Sequence, residues 1–261
     1  MNNNRMKIIK LIILSTLAIA TMNCSDEPSH KLPDSPSPVK SKLISDHGIW
    51  DLPGSAENSL TAYRLAFEDT WFAGTKVDLQ QTSDGKFAIY HYTEINGKQI
   101  IDMTLEEVQS YKLVNGEKIP SLTDVLELHK KYHNKILLLD LKTAEISDIL
   151  NAVSDYQYKD KLFYTAWSSE KCRMLAKEGA SSVFIRTTDI NNVEIDFCLD
   201  WNISGISVSS QSLDEYPQSV ESFHSSGLKY IVWYPSAYDD IIKYINMGVD
   251  YVITDWVPYH K

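Results

Sequence analysis

Ile136-Leu137-Leu138-Leu139-Asp140-Leu141-Lys142 is an almost unbroken apolar run that stops on charge. A strand with one face in water alternates apolar and polar residues, whereas a run that is apolar throughout belongs to a strand covered on both faces, as in a parallel sheet flanked by helices. The same kind of run recurs on either side of it, at 42–45, 75–79, 162–167, 183–186, 205–208, 230–233 and 251–254, with an extra strand at 87–91. Helix-like stretches at 59–68, 121–131, 146–156, 168–178, 213–225 and 238–246 lie between them, and a short amphipathic helix is predicted at 104–111. Eight buried strands alternating with helices predict an α/β fold, a (β/α)8 TIM barrel filling residues 42–261. An open doubly wound sheet is the other arrangement of such units, but no G-x-G-x-x-G or P-loop follows the first strand.

The composition agrees with a folded domain: 43% hydrophobic and 23% charged residues. The chain carries 35 acidic against 25 basic residues, and without Arg5, Lys7 and Lys10 the balance becomes 22 basic against 35 acidic, or −13. No basic stripe is available to phosphates of a nucleic acid, so that partner class is excluded.

The first 23 residues read as a signal peptide, with Arg5, Lys7 and Lys10 ahead of a ten-residue apolar run at 11–20 that is too short to span a bilayer. Cys24 follows directly and resembles the lipidated cysteine of bacterial lipoproteins, and Ser25-Asp26-Glu27 resembles the export tag of surface lipoproteins. Residues 24–41 hold Pro28, Pro33, Pro36 and Pro38 among polar residues and read as a tether. The expected location is the bacterial cell envelope, anchored to the membrane through lipid on Cys24, at the outer surface or the periplasmic face. Cys172 and Cys198 are either two buried thiols or one bridge; no C-x-x-C spacing suggests zinc. Oligomeric state leaves no mark in the sequence.

In a barrel of this kind the chemistry gathers where strands end at their C-terminal edge. Those ends carry Asp46-His47-Gly48, Lys76 and Asp78, His91, Asp140 and Lys142, Trp167, Trp233 and Asp255. Side chains alternate along a strand, so Lys76 shares a face with Asp78 and Asp140 shares one with Lys142. Two acid-plus-lysine pairs are therefore expected at one mouth. Glu57 and Asn58 are expected to cap the first helix, Trp167 and Trp233 to face the mouth, and His129, His133, His224 and His260 to lie at the surface.

These residues are set in familiar motifs. Ser45-Asp46-His47-Gly48-Ile49-Trp50 followed by Pro53-Gly54-Ser55-Ala56-Glu57-Asn58-Ser59, then Val77-Asp78-Leu79, Thr82-Ser83-Asp84-Gly85, His91, Ile119-Pro120-Ser121-Leu122, Leu141-Lys142 and Gly248-Val249-Asp250-Tyr251-Val252-Ile253-Thr254-Asp255 resemble, in order, the glycerophosphodiester phosphodiesterase family. The resemblance implies a barrel that hydrolyses phosphoric diesters, turning a glycerophosphodiester into glycerol phosphate and an alcohol in lipid headgroup metabolism. It also implies a divalent cation, Ca2+ or Mg2+, held by a Glu and an Asp on strand two and a Glu on strand three. Two histidines would serve as acid and base and an arginine would grip the phosphate.

The sequence departs from that pattern at the centre. Aligned without a gap, the family's His-Arg-Gly falls on Asp46-His47-Gly48, its strand-two Glu on Lys76 and its strand-three Glu on Asp140, while Asp78, His91 and Lys142 match. A one-residue gap would instead make His47 the catalytic histidine. The carried-over roles are His91, Asp46 and His47 as catalytic, Lys76, Lys142 and Trp233 as substrate-binding, and Asp78 with Asp140 as residual metal ligands. Three readings stay open: a degenerate site that only binds an anionic phosphodiester or sugar phosphate; a site in which Lys76 stands in for the metal; and a weakened cation site of Asp46, Asp78 and Asp140. Lys76 beside the carboxylates opposes the third. Few residues separate His91 from Pro120, so no large insertion shapes substrate choice.

Overall fold

The computed structural model describes residues 42–235 and 237–257; the signal sequence, Cys24, the tether, Ser236 and His260 lie outside the described residues. In chain order the elements begin β1 (Leu43–Asp46), α1 (Leu60–Glu68), β2 (Phe72–Gln81), β3 (Phe87–Ile89), β4 (Glu94–Ile95), β5 (Lys98–Gln99), α2 (Leu105–Gln109) and α3 (Leu122–Lys130). They continue β6 (Ile136–Leu141), α4 (Ile146–Ala152), β7 (Leu162–Ala166), α5 (Ser169–Lys177), β8 (Val183–Thr187), α6 (Ile195–Asp200) and β9 (Gly205–Ser209). The chain closes with α7 (Ser210–Glu215), α8 (Ser219–Ser225), β10 (Lys229–Trp233), α9 (Tyr238–Asn246) and β11 (Tyr251–Thr254).

Strands β1, β2, β6, β7, β8, β9, β10 and β11 pair in parallel, and β1 bonds to both β2 and β11, which closes the sheet into the expected eight-stranded barrel. β3 adds an antiparallel edge beside β2. Strand alternation divides the apolar residues into two cores. Val77, Leu79, Leu137, Leu139 and Leu141 point outward and pack in one large cluster with helix residues such as Tyr63, Leu175 and Ile241. Ile44, Leu138, Phe163, Phe184, Ile231 and Ile253 form a second cluster that fills the inside. Each such side chain, fully buried, contributes about 1.5–3 kcal/mol.

On β1, β6 and β8 the inward positions turn from apolar to charged one step further along the strand. Register aligns Asp46 with Lys76, Asp78 with Asp140, Asp140 with Thr165, and Arg186 with Ser207. The charged layer therefore sits on a fixed apolar floor.

Several boundaries differ from the sequence expectation for local reasons. The extra strand stops at Ile89, so His91 lies in a bend beyond it. The helix expected at 213–225 is two helices interrupted around Pro217, which lacks an N–H and restricts Tyr216 before it. Helix α6 was not foreseen: Ile195, Phe197 and Leu199 sit at every second position, as in a strand, and six residues are too few to show the helical period. The turn Asn96-Gly97, both residues at positive φ, joins the small β4–β5 hairpin. Cys172 and Cys198 are two buried free thiols.

Candidate active site

The site begins with a tight turn after β1. His47 has φ 61° and Gly48 φ 86°, and a Cβ on Gly48 would come within 2.6 Å of Ala62 in α1. Only glycine lets the chain pass so close to the helix while turning the His47 ring across the barrel end. The loop is then pinned. His47 C=O accepts from the Asn58 N–H at 3.1 Å, Ser55 Oγ donates to Ile49 C=O at 2.7 Å, and the buried Tyr63 hydroxyl donates to Asn58 Oδ1.

Ser59, not Glu57 or Asn58, caps α1, accepting from the Ala62 N–H at 3.0 Å. Glu57 is thereby free to face the site, and its Oε1 lies 2.8 Å from His47 Nδ1 and 3.4 Å from His91 Nδ1. Asn58 Nδ2 reaches Asp78 Oδ2 at 3.5 Å. The helix-start pattern gave these two residues a role they do not have, because capping signals in adjacent residues compete and only one can occupy the cap.

Lys76 is the hub. Its ammonium, 0% exposed, lies 2.8 Å from Asp46 Oδ1, 2.8 Å from Asp78 Oδ1, 3.6 Å from Asp140 Oδ2 and 2.8 Å from His47 Nε2. Burial alone would favour the neutral amine, but the three carboxylates outweigh it and hold Lys76 charged far above neutral pH. Burial would likewise favour neutral Asp46 and Asp78, and Lys76 with His47 instead keeps both below the usual carboxylate range. Lys76, expected among the substrate-binding residues, is sealed beneath the surface among Asp46, Asp78, Asp140 and His47; Asp46 is sealed with it.

His47 is also buried. Desolvation and the adjacent Lys76 oppose its imidazolium, but Asp46, Asp78 and Glu57 prevail and raise it to about 9. Its Nε2 lies 2.8 Å from Asp78 Oδ2 and 3.1 Å from Asp46 Oδ1. Both ring nitrogens therefore face carboxylates. His91 differs: Nδ1 is 3.0 Å from Asp78 Oδ2, and the side chain is one-third exposed. A carboxylate that accepts a hydrogen bond from Nδ1–H leaves Nε2 of the neutral ring as the nitrogen open to a proton, the arrangement that makes a histidine a proton acceptor.

Lys142 and Arg186 complete the mouth. Lys142 Nζ lies 2.8 Å from Asp140 Oδ2 and 3.2 Å from Asp78 Oδ1, with its side chain partly exposed. Arg186 Nη1 is 3.4 Å from Asp140 Oδ2, Nη2 donates to the Tyr234 hydroxyl at 3.3 Å, and the guanidinium lies 4.5 Å and 5.1 Å from the centroids of Trp233 and Trp167. Arg186 was missed as a site residue. Val183-Phe184-Ile185-Arg186 signals it in hindsight, because an arginine two positions after an inward phenylalanine on a buried strand must point to the barrel end. Trp167 and Trp233 stand at the mouth as expected, while His129, expected at the surface, is buried between the Tyr156 hydroxyl and the Lys135 C=O. Asp255 accepts from Trp50 Nε1 at 3.1 Å, and burial with the nearby Asp46 pushes its carboxyl up.

The donor set does not suit a divalent cation at Asp46, Asp78 and Asp140. A protonated amine cannot ligate, and this one already occupies hydrogen-bonding distance from two of the three carboxylates. A second group, His47, Glu57, Asp78 and His91, brings its ligand atoms within 4.8 Å of one another, yet the same ammonium borders its His47 and Asp78. Beyond His91 a cavity of about 830 Å³ opens along Trp50, Glu57, Tyr90, Tyr92 and Tyr111.

Comparison with known proteins sets this geometry in a family. The model of the glycerophosphoryl diester phosphodiesterase family matches residues 47–258. A glycerophosphodiester phosphodiesterase of Caldanaerobacter subterraneus subsp. tengcongensis is 23% identical over 242 residues, 83% of this chain and 95% of the relative. The crystal structure of a glycerophosphodiester phosphodiesterase from Parabacteroides distasonis superposes with a TM-score of 0.76 at 25% identity, covering 82% of this chain and 92% of the other. An Oleispira antarctica phosphodiesterase, solved with its product sn-glycerol-3-phosphate, superposes with a TM-score of 0.70 at 19% identity over 87% and 94% of the two chains. The chain belongs to the glycerophosphoryl diester phosphodiesterase family.

Proposed function

We propose that this protein hydrolyses phosphodiesters of the glycerol headgroup type, with His91 as the proton-transferring group and Lys142 and Arg186 as the cations nearest the phosphate. The observation that carries the reading is the Asp78–His91 pair: a half-open histidine held at Nδ1 by a buried carboxylate, at the end of the barrel where substrates of such folds bind. His91 Nε2 would take a proton from the attacking water as the new P–O bond forms, and the departing alkoxide would take a proton from solvent at the open mouth as the old bond breaks. Arg186 Nε and the hydroxyls of Thr165 and Ser207 are buried without a hydrogen-bond partner among the described residues, which supports a polar ligand at this end. The relative solved with sn-glycerol-3-phosphate supports glycerol phosphate as one product. The aromatic cavity beside His91 suits the alcohol half, and its size is that of a small-molecule site.

A second reading has its own observation. Lys76, Lys142 and Arg186 are each already engaged with a carboxylate, which fits a barrel that binds an anionic phosphodiester or sugar phosphate without cleaving it. Turnover separates the two. With glycerophosphocholine and bis(p-nitrophenyl) phosphate as substrates, the wild type should release product and His91→Ala should lose about 10²–10⁴ of the rate. Equal rates in both proteins would remove His91 from the mechanism; no turnover with retained binding of glycerol 3-phosphate would favour the second reading. We further propose that lipid on Cys24 holds the barrel at the cell envelope, which globomycin sensitivity and detergent partitioning of the full chain would test.

A further inference from the structure

We infer that the ammonium of Lys76 is the resident cation of this barrel, standing among Asp46, Asp78 and Asp140 in place of a divalent metal ion, so that these carboxylates take up none. The charge count is closed before any ion arrives. Asp46, Asp78, Asp140 and Glu57 face Lys76, Lys142, Arg186 and the His47 imidazolium, with Lys76 at the centre, Lys142 within 3.2 Å of Asp78 and 2.8 Å of Asp140, Arg186 within 3.4 Å of Asp140, and His47 within 2.8 Å of Asp78 and Glu57. A Ca2+ or Mg2+ ion must sit about 2.0–2.6 Å from its oxygens. Asp46 Oδ1 and Asp78 Oδ1, each 2.8 Å from the ammonium nitrogen, leave no room for such an ion between them without displacing that nitrogen.

The lysine has nowhere to withdraw. It is 0% exposed, and its strand is paired on both sides, with Asp46 opposite it in β1 and Leu138 opposite it in β6. Moving the ammonium aside would strand it in the apolar interior or expose Asp46 and Asp78 to one another, and an entering metal ion would have to offset that cost on top of losing its own hydration. The same nitrogen lies 2.8 Å from His47 Nε2, so it also guards the neighbouring group of His47, Glu57, Asp78 and His91. Lys76 thus supplies at this barrel end a permanent charge that neither chelator nor metal starvation can remove.

The test requires no turnover, so it stands or falls apart from the hydrolytic reading. Metal content of the purified full chain is measured after desalting, and melting temperature is compared in EDTA and in excess Ca2+, Mg2+ or Mn2+. The wild type should hold well below one equivalent of any divalent metal and melt at one temperature throughout. Lys76→Gln leaves three carboxylates around an uncharged side chain, and its melting temperature should rise by about 5 °C or more once Ca2+ is well above its Kd. If that variant does not fold, the wild-type titration alone decides. One tightly held equivalent of metal in the wild type, or a rise of several degrees on adding Ca2+, Mg2+ or Mn2+, overturns the inference.

Discussion

The floor and the rim of the barrel interior are carried by the same strands, two residues apart, and are chemically opposite. Ile44 becomes Asp46, Leu138 becomes Asp140, and Phe184 becomes Arg186, each pair on one face of one strand. The floor holds by volume: its side chains exclude water and need only fill space. The rim holds by pairing, since each of its buried charges is tolerated only while its partners are present. Identical backbone geometry therefore supports two regions that should fail in different ways, and substitutions in each sharpen the contrast.

The largest effect is expected in the rim's centre. Lys76→Met should lower unfolding stability by about 3–5 kcal/mol, because it leaves Asp46 and Asp78 buried without their shared cation. Lys142→Met, at the partly solvated edge, should cost about 1 kcal/mol or less, since water takes over part of the lost pairing. Urea titrations of the two variants would break the comparison if they came out equal. In the floor, Leu138→Ala should cost about 2–4 kcal/mol through lost burial and a residual cavity, and the loss should not change with pH. A pH-dependent loss there would mean that floor and rim are coupled.

A further effect is a pH profile confined to the rim. His47 rises from an ordinary value of 6.5 to about 9 on folding, so its share of the stability is complete below about 6.5 and is lost as pH climbs through about 9. The lowered Asp46 and Glu57 act in the opposite sense, and their share is lost on acidification below the usual carboxylate range. Thermal melts of the wild type should therefore fall between pH 6.5 and 9, and His47→Asn should flatten that fall. Asparagine suits the test because it tolerates the left-handed backbone at this position. An unchanged alkaline fall in the variant would assign the titration to another group.

The barrel was legible in the sequence because buried parallel strands leave continuous apolar runs, and the mouth was legible because those runs end on charge. Lys76, Asp78, Asp140, Lys142 and His91 were found that way, and the structure brings them together. What the pattern could not supply was depth. Nothing in Thr75-Lys76-Val77-Asp78 tells a lysine at the surface of a pocket from one sealed beneath it, since that depends on how far the register of β1 and β6 places Asp46 and Asp140 around it. Glu57 was misread because its neighbour Ser59 carries an equally good cap signal. Arg186 was overlooked because, unlike Asp140-Leu141-Lys142, its run ends on a single charge followed by the uncharged Thr187 and Thr188. His129 was misassigned because a histidine in a helix is usually solvated, and only the fold shows Tyr156 closing over it.

The most direct measurement is the rate of glycerophosphodiester hydrolysis by the wild type in EDTA, repeated after restoring excess Ca2+ or Mg2+. The expected result is measurable turnover at the same rate in every condition, with Lys76 supplying the charge that a metal would otherwise bring. A rate that vanishes in EDTA and returns with Ca2+ or Mg2+ would contradict it.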